Sequence, residues 1–328
     1  MGMLVNGKNI ALDARDKGSE VNFVSHAHSD HTSGVNKSKE MLSSEVTAEL
    51  VELRKGIQTK SLRSIRGAEL LNAGHILGSR QLFAEADDGY SFVYTGDYQL
   101  QESLVAESID VRNADVLIID STYPYKDLVF EDKNEVMTAI QHYLKIKLKK
   151  GIVLFGAYAL GKAQELVKIA NEAGITPIVS PKISAMNDVY RRHGVPLEYL
   201  SSQDGSEPVS EPSGNFMAIV ETGKLHETAQ RMASNSNRRV FTAVATGFAR
   251  MYNMHVDVQF GLSDHADFRQ ATEYIDQCSP KVIYTYGSKS NQREFAECLS
   301  SEGYNAHPYS ECFDGVRLDV HEKMRQQL

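Results

Sequence analysis

Residues 26–31 of the run Val24-Ser25-His26-Ala27-His28-Ser29-Asp30-His31 hold four side chains able to ligate a metal: His26, His28, Asp30 and His31. The residues before them, Val21-Asn22-Phe23-Val24, predict a strand. The ligand run therefore leaves a strand end as a loop, and such a loop can fan its side chains toward one point. Imidazole suits zinc and related borderline ions, and a carboxylate adds charge neutralisation. Two imidazole pairs in one short loop point to two ions rather than one. A histidine-rich surface turn without metal is the plain alternative, and further ligand types downstream weigh against it.

At 328 residues the chain can hold one large domain or two modest ones. Lys and Arg number 35 against 43 Asp and Glu, a formal charge of −8. That balance argues against a protein that coats polyanions but leaves nucleic acid open as a substrate, because bound cations and local basic patches can invert the field at a site. Cys278, Cys298 and Cys312 are an odd count without CxxC spacing and read as free thiols of a reducing compartment. The first residues lack a charged-then-apolar leader, and no apolar run approaches the ~20 residues of a membrane span. A soluble cytoplasmic protein is expected.

The first third alternates strands and turns. Asn9 to Asp13 predicts a strand ending in a carboxylate, and Val46 to Arg54 carries helical spacing. Gln81–Ala86 and Tyr90–Tyr94 flank Asp87-Asp88-Gly89, a hairpin pattern. Val116 to Ile119 is an apolar run of the kind buried within a sheet. From Asn134 the pattern becomes helix (to about Lys150), strand (Ile152–Phe155), helix (Lys162–Ala173) and strand (Thr176–Val179), as in βαβ units. Ser201 to Ser213 predicts an exposed loop. Strand and helix then alternate again over Val258–Leu262, Phe268–Gln277, Val282–Tyr286 and Gln292–Gly303.

Two further segments carry candidate ligands. Gly74-His75 sits at a sharp turn, and Asp97 follows the apolar strand that ends at Tyr94. Each alone is more often structural. With the first loop they complete a nitrogen and oxygen set for two ions, and the Asp97 carboxylate can offer one oxygen to each. Such a pair activates a water and clamps the oxygens of an in-line displacement.

In order, Asp13, the His-x-His-x-Asp-His loop, His75 and Asp97 closely resemble the motifs of the metallo-β-lactamase superfamily. That resemblance implies an α/β fold, the αβ/βα metallo-β-lactamase sandwich. It further implies that His26, His28 and His75 hold one metal, Asp30 and His31 the second, that Asp97 bridges, and that Asp13 steadies the ligand loop. Downstream, Asp120-Ser121-Thr122-Tyr123 is similar to motif A of the β-CASP nucleic-acid hydrolases. Ser263-Asp264-His265-Ala266-Asp267 is similar to their motif B, and Tyr158 to Glu165 to a helix start in the inserted β-CASP α/β domain. The resemblance, to exonuclease and messenger-RNA 3′-end-processing members in particular, covers nearly the whole chain. It implies a metallo-β-lactamase domain over 1–121 and 251–328 and a β-CASP domain over 122–250. One position departs from the pattern. Tyr286 stands where the third β-CASP motif of RNA-cleaving members places a histidine, and a neutral phenol is a poor ligand near neutral pH.

Two glycine-containing loops lead into predicted helices, with Gly161-Lys162 in one and Ser288-Lys289 in the other. Exposed N–H groups, the helix dipole and the lysines can attract phosphate there, and an ordinary βα turn is the alternative. The basic run Lys145 to Lys150 reads as a solvated helix end. Arg191, Arg192, Arg238, Arg239 and Arg250 are candidate backbone contacts for a bound strand, and Tyr123, Tyr125 and Tyr158 candidate stacking partners.

The expectation is a metal-dependent nuclease with two divalent ions, zinc favoured and manganese admitted at the second site. Asp30, Asp120 and His265 are the expected catalytic residues, with His265 oriented by Asp120 to contact the phosphate or protonate the leaving oxygen. The expected partner is single-stranded nucleic acid, RNA favoured over DNA with 5′–3′ exonuclease action, and a homodimer is admitted. The rivals are a small-molecule metallohydrolase, which would lack Asp120 and His265, and a scaffold paralogue with a ruined metal site.

Overall fold

Asn6 and Gly7 both take positive φ, 49° and 72°, which joins two strands through the kind of tight turn that Asn-Gly favours. The computed structural model describes residues 2–14, 19–36, 38–87, 89–202, 214–236 and 238–312. In it β1 (Gly2–Val5) and β2 (Lys8–Leu12) pair as an antiparallel hairpin across that turn. β3 (Val21–Phe23), β4 (Glu40–Leu42) and β5 (Ser61–Leu62) continue the sheet in parallel, in the order β1-β2-β3-β4-β5. Helix α1 (Glu45–Lys55) follows β4; Ser44 caps its start and Gly56, at φ 63°, its end. Next come β6 (Ala68–Asn72), β7 (Arg80–Glu85) and β8 (Ser91–Tyr94), successively antiparallel, then β9 (Val116–Asp120), parallel to β8. The expected hairpin is β7–β8; Asp88 of its turn lies outside the described residues.

The middle of the chain is an alternation of helices and parallel strands. α2 (Lys133–Lys147), β10 (Ile152–Ala157), α3 (Lys162–Glu172), β11 (Ile178–Val179) and α4 (Pro181–Arg192) come first. β12 (Leu200–Ser201), β13 (Met217–Glu221), α5 (Leu225–Ser236), β14 (Val240–Ala245) and β15 (Val258–Phe260) follow. All neighbours are parallel, in the order β12-β11-β13-β10-β14-β15. α4, β13, α5 and β14 were not expected from sequence. For α4 the signal was present: Ser180 caps it and Pro181 occupies the first helical turn, where a missing N–H costs nothing. Residues 203–213 of the expected loop lie outside the described residues.

The last segment adds α6 (Phe268–Cys278), β16 (Val282–Tyr286), α7 (Lys289–Ser301), β17 (Ala306–Pro308) and the short α8 (Tyr309–Cys312). β16 inserts beside β9, giving the order β17-β16-β9-β8-β7-β6. Period-two alternation then decides what each strand touches. Val116, Ile118, Val282 and Tyr284 face inward, with Ile10, Leu12, Val21 and Phe23 of the first sheet. Leu117, Ile119 and Ile283 face outward, onto Phe268, Tyr274 and Ile275 of α6 and Phe295 of α7. Strands covered on both faces need apolar residues at every position, which is why β9 reads as an unbroken apolar run. Each fully buried large side chain in these layers contributes about 1.5–3 kcal/mol.

The chain divides into two compact units. One comprises Met1–Glu102, Ala106–Val129 and His265–Leu328, the other Ser103–Val105 and Phe130–Asp264. Among the described residues no helix is long and apolar enough to cross a membrane.

Candidate metal centre

The candidate ligands stand at strand ends in the first unit. Asp13 follows β2, the His26–His31 loop follows β3, Asp97 follows β8, Asp120 closes β9, and His265 precedes α6. His75 sits in the turn between β6 and β7. Glycines make two of these placements possible. A Cβ on Gly74 (φ 74°) would lie 2.1 Å from the Gln99 carbonyl oxygen, and one on Gly96 (φ 55°) 2.6 Å from Ser25 Cβ.

Four donor atoms converge. His26 Nε2 lies 2.9 Å from His28 Nδ1, and His75 Nε2 lies 3.1 Å from the same atom. Asp97 Oδ2 is 3.4 Å from His26 Nε2 and 3.6 Å from His75 Nε2. Zinc ligands at roughly 2.0–2.1 Å in tetrahedral array stand about 3.3 Å from one another, and these separations bracket that spacing. Complete burial holds His26 well below the usual imidazole value, and His31 pushes it the same way. His26 is therefore neutral and presents a lone pair. Buried ring nitrogens aimed at one another fit a cation better than any protonated arrangement.

The other Asp97 oxygen points elsewhere. Oδ1 lies 3.3 Å from His31 Nε2, which is 3.6 Å from Asp30 Oδ2. The Asp30 side chain is 79 % exposed, so this second donor set is more open than the first. Burial disfavours charge on His31, but the Asp97 and Asp13 carboxylates outweigh it and hold His31 well above its ordinary value. Burial likewise acts upward on Asp97, yet His31, His265 and His26 keep it well below the carboxylate range. A cation held here would take the place of the proton on His31 Nε2.

Asp13 lies beneath this layer at φ 47°. Its Oδ1 accepts from Ser25 N at 2.8 Å; its Oδ2 accepts from Ser25 Oγ at 2.5 Å and Tyr94 Oη at 2.9 Å, and pairs with His31 Nδ1 at 2.7 Å. Tyr286 faces the same inter-sheet layer as Tyr284. Its ring meets Tyr94 edge-on at 5.6 Å, and its hydroxyl hydrogen-bonds with that of Tyr94. His265 Nε2 stands 3.8 Å from Asp97 Oδ2, while His265 Nδ1 is 3.0 Å from Asp120 Oδ2. Thr122 holds the other Asp120 oxygen through its N–H at 3.1 Å and hydroxyl at 2.9 Å. Burial and Asp97 raise the Asp120 carboxyl. Asp97, Asp120 and His265 thus form a second convergent group beside the first.

Arg54, from α1, was not singled out from sequence. Its guanidinium donates to the Ala27 carbonyl and, at 2.8 Å, to Ser29 Oγ, clamping the ligand loop from outside. No local pattern announces it, because the contact exists only once α1 packs beside the loop.

One expected phosphate loop needs correction. Lys162 is buried, its ammonium 2.6 Å from Asp264 Oδ1 and 3.0 Å from Glu165 Oε2. Lys133 joins the same network, 2.7 Å from Glu165 Oε1. The Gly161 N–H donates to Gln164 Oε1 at 2.7 Å. The Gly161 N–H and the Lys162 ammonium are thus engaged by partners inside the second unit. Ser288, by contrast, caps α7 and Lys289 is exposed beside it. Several candidate arginines are also engaged within the fold: Arg250 with Glu131 at 3.2 Å, Arg238 with the Gly214 carbonyl at 2.8 Å, and Arg191 and Arg239 over aromatic rings. Tyr123 is buried, whereas Tyr125 and Tyr158 are exposed.

Two facing sheets with His and Asp donors gathered at their strand ends define the class, an α/β metallohydrolase-type fold able to hold divalent cations. The chain is 31 % identical over 301 residues to a "Probable DNA ligase" of Opitutus terrae, covering 87 % of this chain and 28 % of that protein. It is 31 % identical over 200 residues to the 5′ exonuclease Apollo of Gallus gallus, covering 55 % of this chain and 43 % of that one. It is 29 % identical over 187 residues to an RNase J-like protein of Methanocaldococcus jannaschii, covering 48 % and 44 %. The chain thus spans less than half the length of each of these relatives. No protein-family model matches it. The chain belongs to the β-CASP family of the metallo-β-lactamase superfamily.

Proposed function

We infer that this protein hydrolyses phosphodiester bonds of single-stranded nucleic acid as a metal-dependent nuclease. The observation that carries the reading is the placement of the Asp120–His265 pair against the His26, His28, His75 and Asp97 donor cluster. When bound, divalent ions supply charge neutralisation and a nucleophile at neutral pH. His26, His28, His75 and Asp97 would hold one ion, and Asp30, His31 and the other oxygen of Asp97 would hold the second. The nitrogen-rich first set suits zinc, and the more oxygen-rich second set also admits manganese. The Asp13 contact keeps the His31 proton on Nδ1 and leaves Nε2 free to bind. Asp120 does the same for His265, so that His265 Nε2 can hold a proton for the leaving oxygen. The unit centred on Phe130–Asp264 is the β-CASP domain in this reading.

Similarity to proteins named a probable DNA ligase and a 5′ exonuclease supports DNA ends as the substrate, degraded from the 5′ side. RNA, the substrate expected from the sequence, is the second, supported by the RNase J-like relative. End-labelled, sequence-matched DNA and RNA strands carrying 5′-phosphate or 5′-hydroxyl decide between them. A DNA ladder shortening from the 5′ end is expected, and intact strands in both series with zinc or manganese present would refute the nuclease reading.

A further inference from the structure

The second unit contains a cavity of about 250 Å³ that the hydrolytic chemistry does not use. It lies where Ala157 ends β10, Thr222 follows β13 and Ala245 ends β14. β10 lies between β13 and β14 in the sheet. The chain leaves β10 toward β11 on one side, and α5 carries it from β13 across to β14 on the other. Crevices at such reversals, outside the carboxyl ends of parallel strands, are where open α/β sheets take their ligands.

The lining selects the ligand. Tyr158, Phe248 and Tyr252 supply three aromatic rings, Met254 a polarisable sulfur, and Thr222 and Thr246 hydroxyls; among the described residues no charged side chain lines the cavity. Phe248 and Tyr252 lie 6.3 Å apart, tilted by 31°. Tyr158 and Tyr252 are each 58 % exposed, which leaves ring surface open to a ligand. A phosphate or carboxylate would find no cation among these lining residues. A flat neutral ring with polar edges would find stacking faces and hydroxyl partners, which describes a nucleobase.

We propose that this pocket binds an unpaired base of the nucleic-acid strand, by stacking on Tyr158 and Tyr252. The proposal rests on the nucleic-acid reading above. A paired base presents only its edge, so the pocket accepts single strands and rejects duplex. The chain contains no tryptophan, so Tyr252→Trp creates one reporter at the rim.

The test titrates metal-loaded Tyr252→Trp with a dye-labelled single strand whose phosphorothioate linkages resist cleavage, with the same strand made abasic, and with blunt duplex. Dye anisotropy reports binding anywhere on the protein, and tryptophan emission reports the pocket. The expected result is saturable quenching by the base-bearing strand only. Tyr158→Ala in that background should weaken the strand by about tenfold, with Tyr158→Phe restoring it. Anisotropy that rises without quenching, or equal affinity for the abasic strand, overturns the pocket while leaving the nuclease reading intact. No anisotropy change with any strand overturns both.

Discussion

His31 Nδ1 stands 2.7 Å from Asp13 Oδ2, although the two side chains leave different strands of the first sheet. That carboxylate gathers four contacts, from Ser25 N, Ser25 Oγ, Tyr94 Oη and His31. It ties the ligand loop to the neighbouring strand end and to β8. Asp13→Asn keeps the shape but replaces one accepting oxygen with a donor. The expected outcome is a ~10–100-fold loss of affinity for the second metal with the fold retained. Calorimetric titration with zinc alongside a circular dichroism spectrum checks it, and unchanged affinity would show that the contact is only structural.

Removing a central donor should be more severe. His28 Nδ1 faces both His26 and His75, and Asp97 is the one carboxylate shared by both donor sets. His28→Ala and Asp97→Ala are expected to abolish hydrolysis while melting cooperatively. Wild-type turnover in metal-controlled buffer, from either variant, contradicts the two-metal arrangement.

His265 touches the site through Nε2 and is held by Asp120 through Nδ1. His265→Ala should lower turnover ~10²–10⁴-fold with strand affinity nearly unchanged, and Asp120→Asn by less. Single-turnover kinetics with separate binding measurements distinguish this from a phosphate anchor, for which affinity would collapse instead.

Lys162 sits in a buried network with Glu165, Lys133 and Asp264. Burial acts upward on Asp264, but Lys162 and Lys133 outweigh it and pull it down to about 2. Its folded value is below its unfolded one, so its stabilisation is complete above roughly pH 4 and is lost as pH falls through about 2. Asp264→Asn should therefore flatten the acid limb of the stability curve. Lys162→Met leaves buried carboxylates uncompensated and should cost ~3–5 kcal/mol by denaturant titration. A Lys162→Met protein as stable as the parent, but with weakened strand binding, would restore the phosphate role.

Tyr286 hydrogen-bonds to Tyr94, which in turn donates to Asp13, so it faces the ligand layer rather than away from it. Tyr286→His places an imidazole on that side. The variant should tighten the second metal and reduce dependence on added manganese, measured by titrating both proteins with zinc and manganese. Equal affinities would mean that the tyrosine position does not reach the second donor set.

The ligand loop was legible because its four donors are neighbours in the chain, and a strand end leaves a short loop few other ways to point them. The layers were legible where burial on both faces demands apolar residues at every position, as in Val116 to Ile119, or where a turn leaves its own mark. Two-residue strands such as β5 and β12, too short to show a period, were not. Tertiary structure alone decided which partners each charge meets. Asp120 and His265 are separated by 145 positions, and Arg54 reaches Ala27 only after α1 has packed. Lys162 has the local sequence of a phosphate loop, and its ammonium is consumed by Asp264, 102 positions away. A residue's type states what it can donate or accept, but burial and partners decide what remains for a ligand, and both are set by contacts distant in the chain.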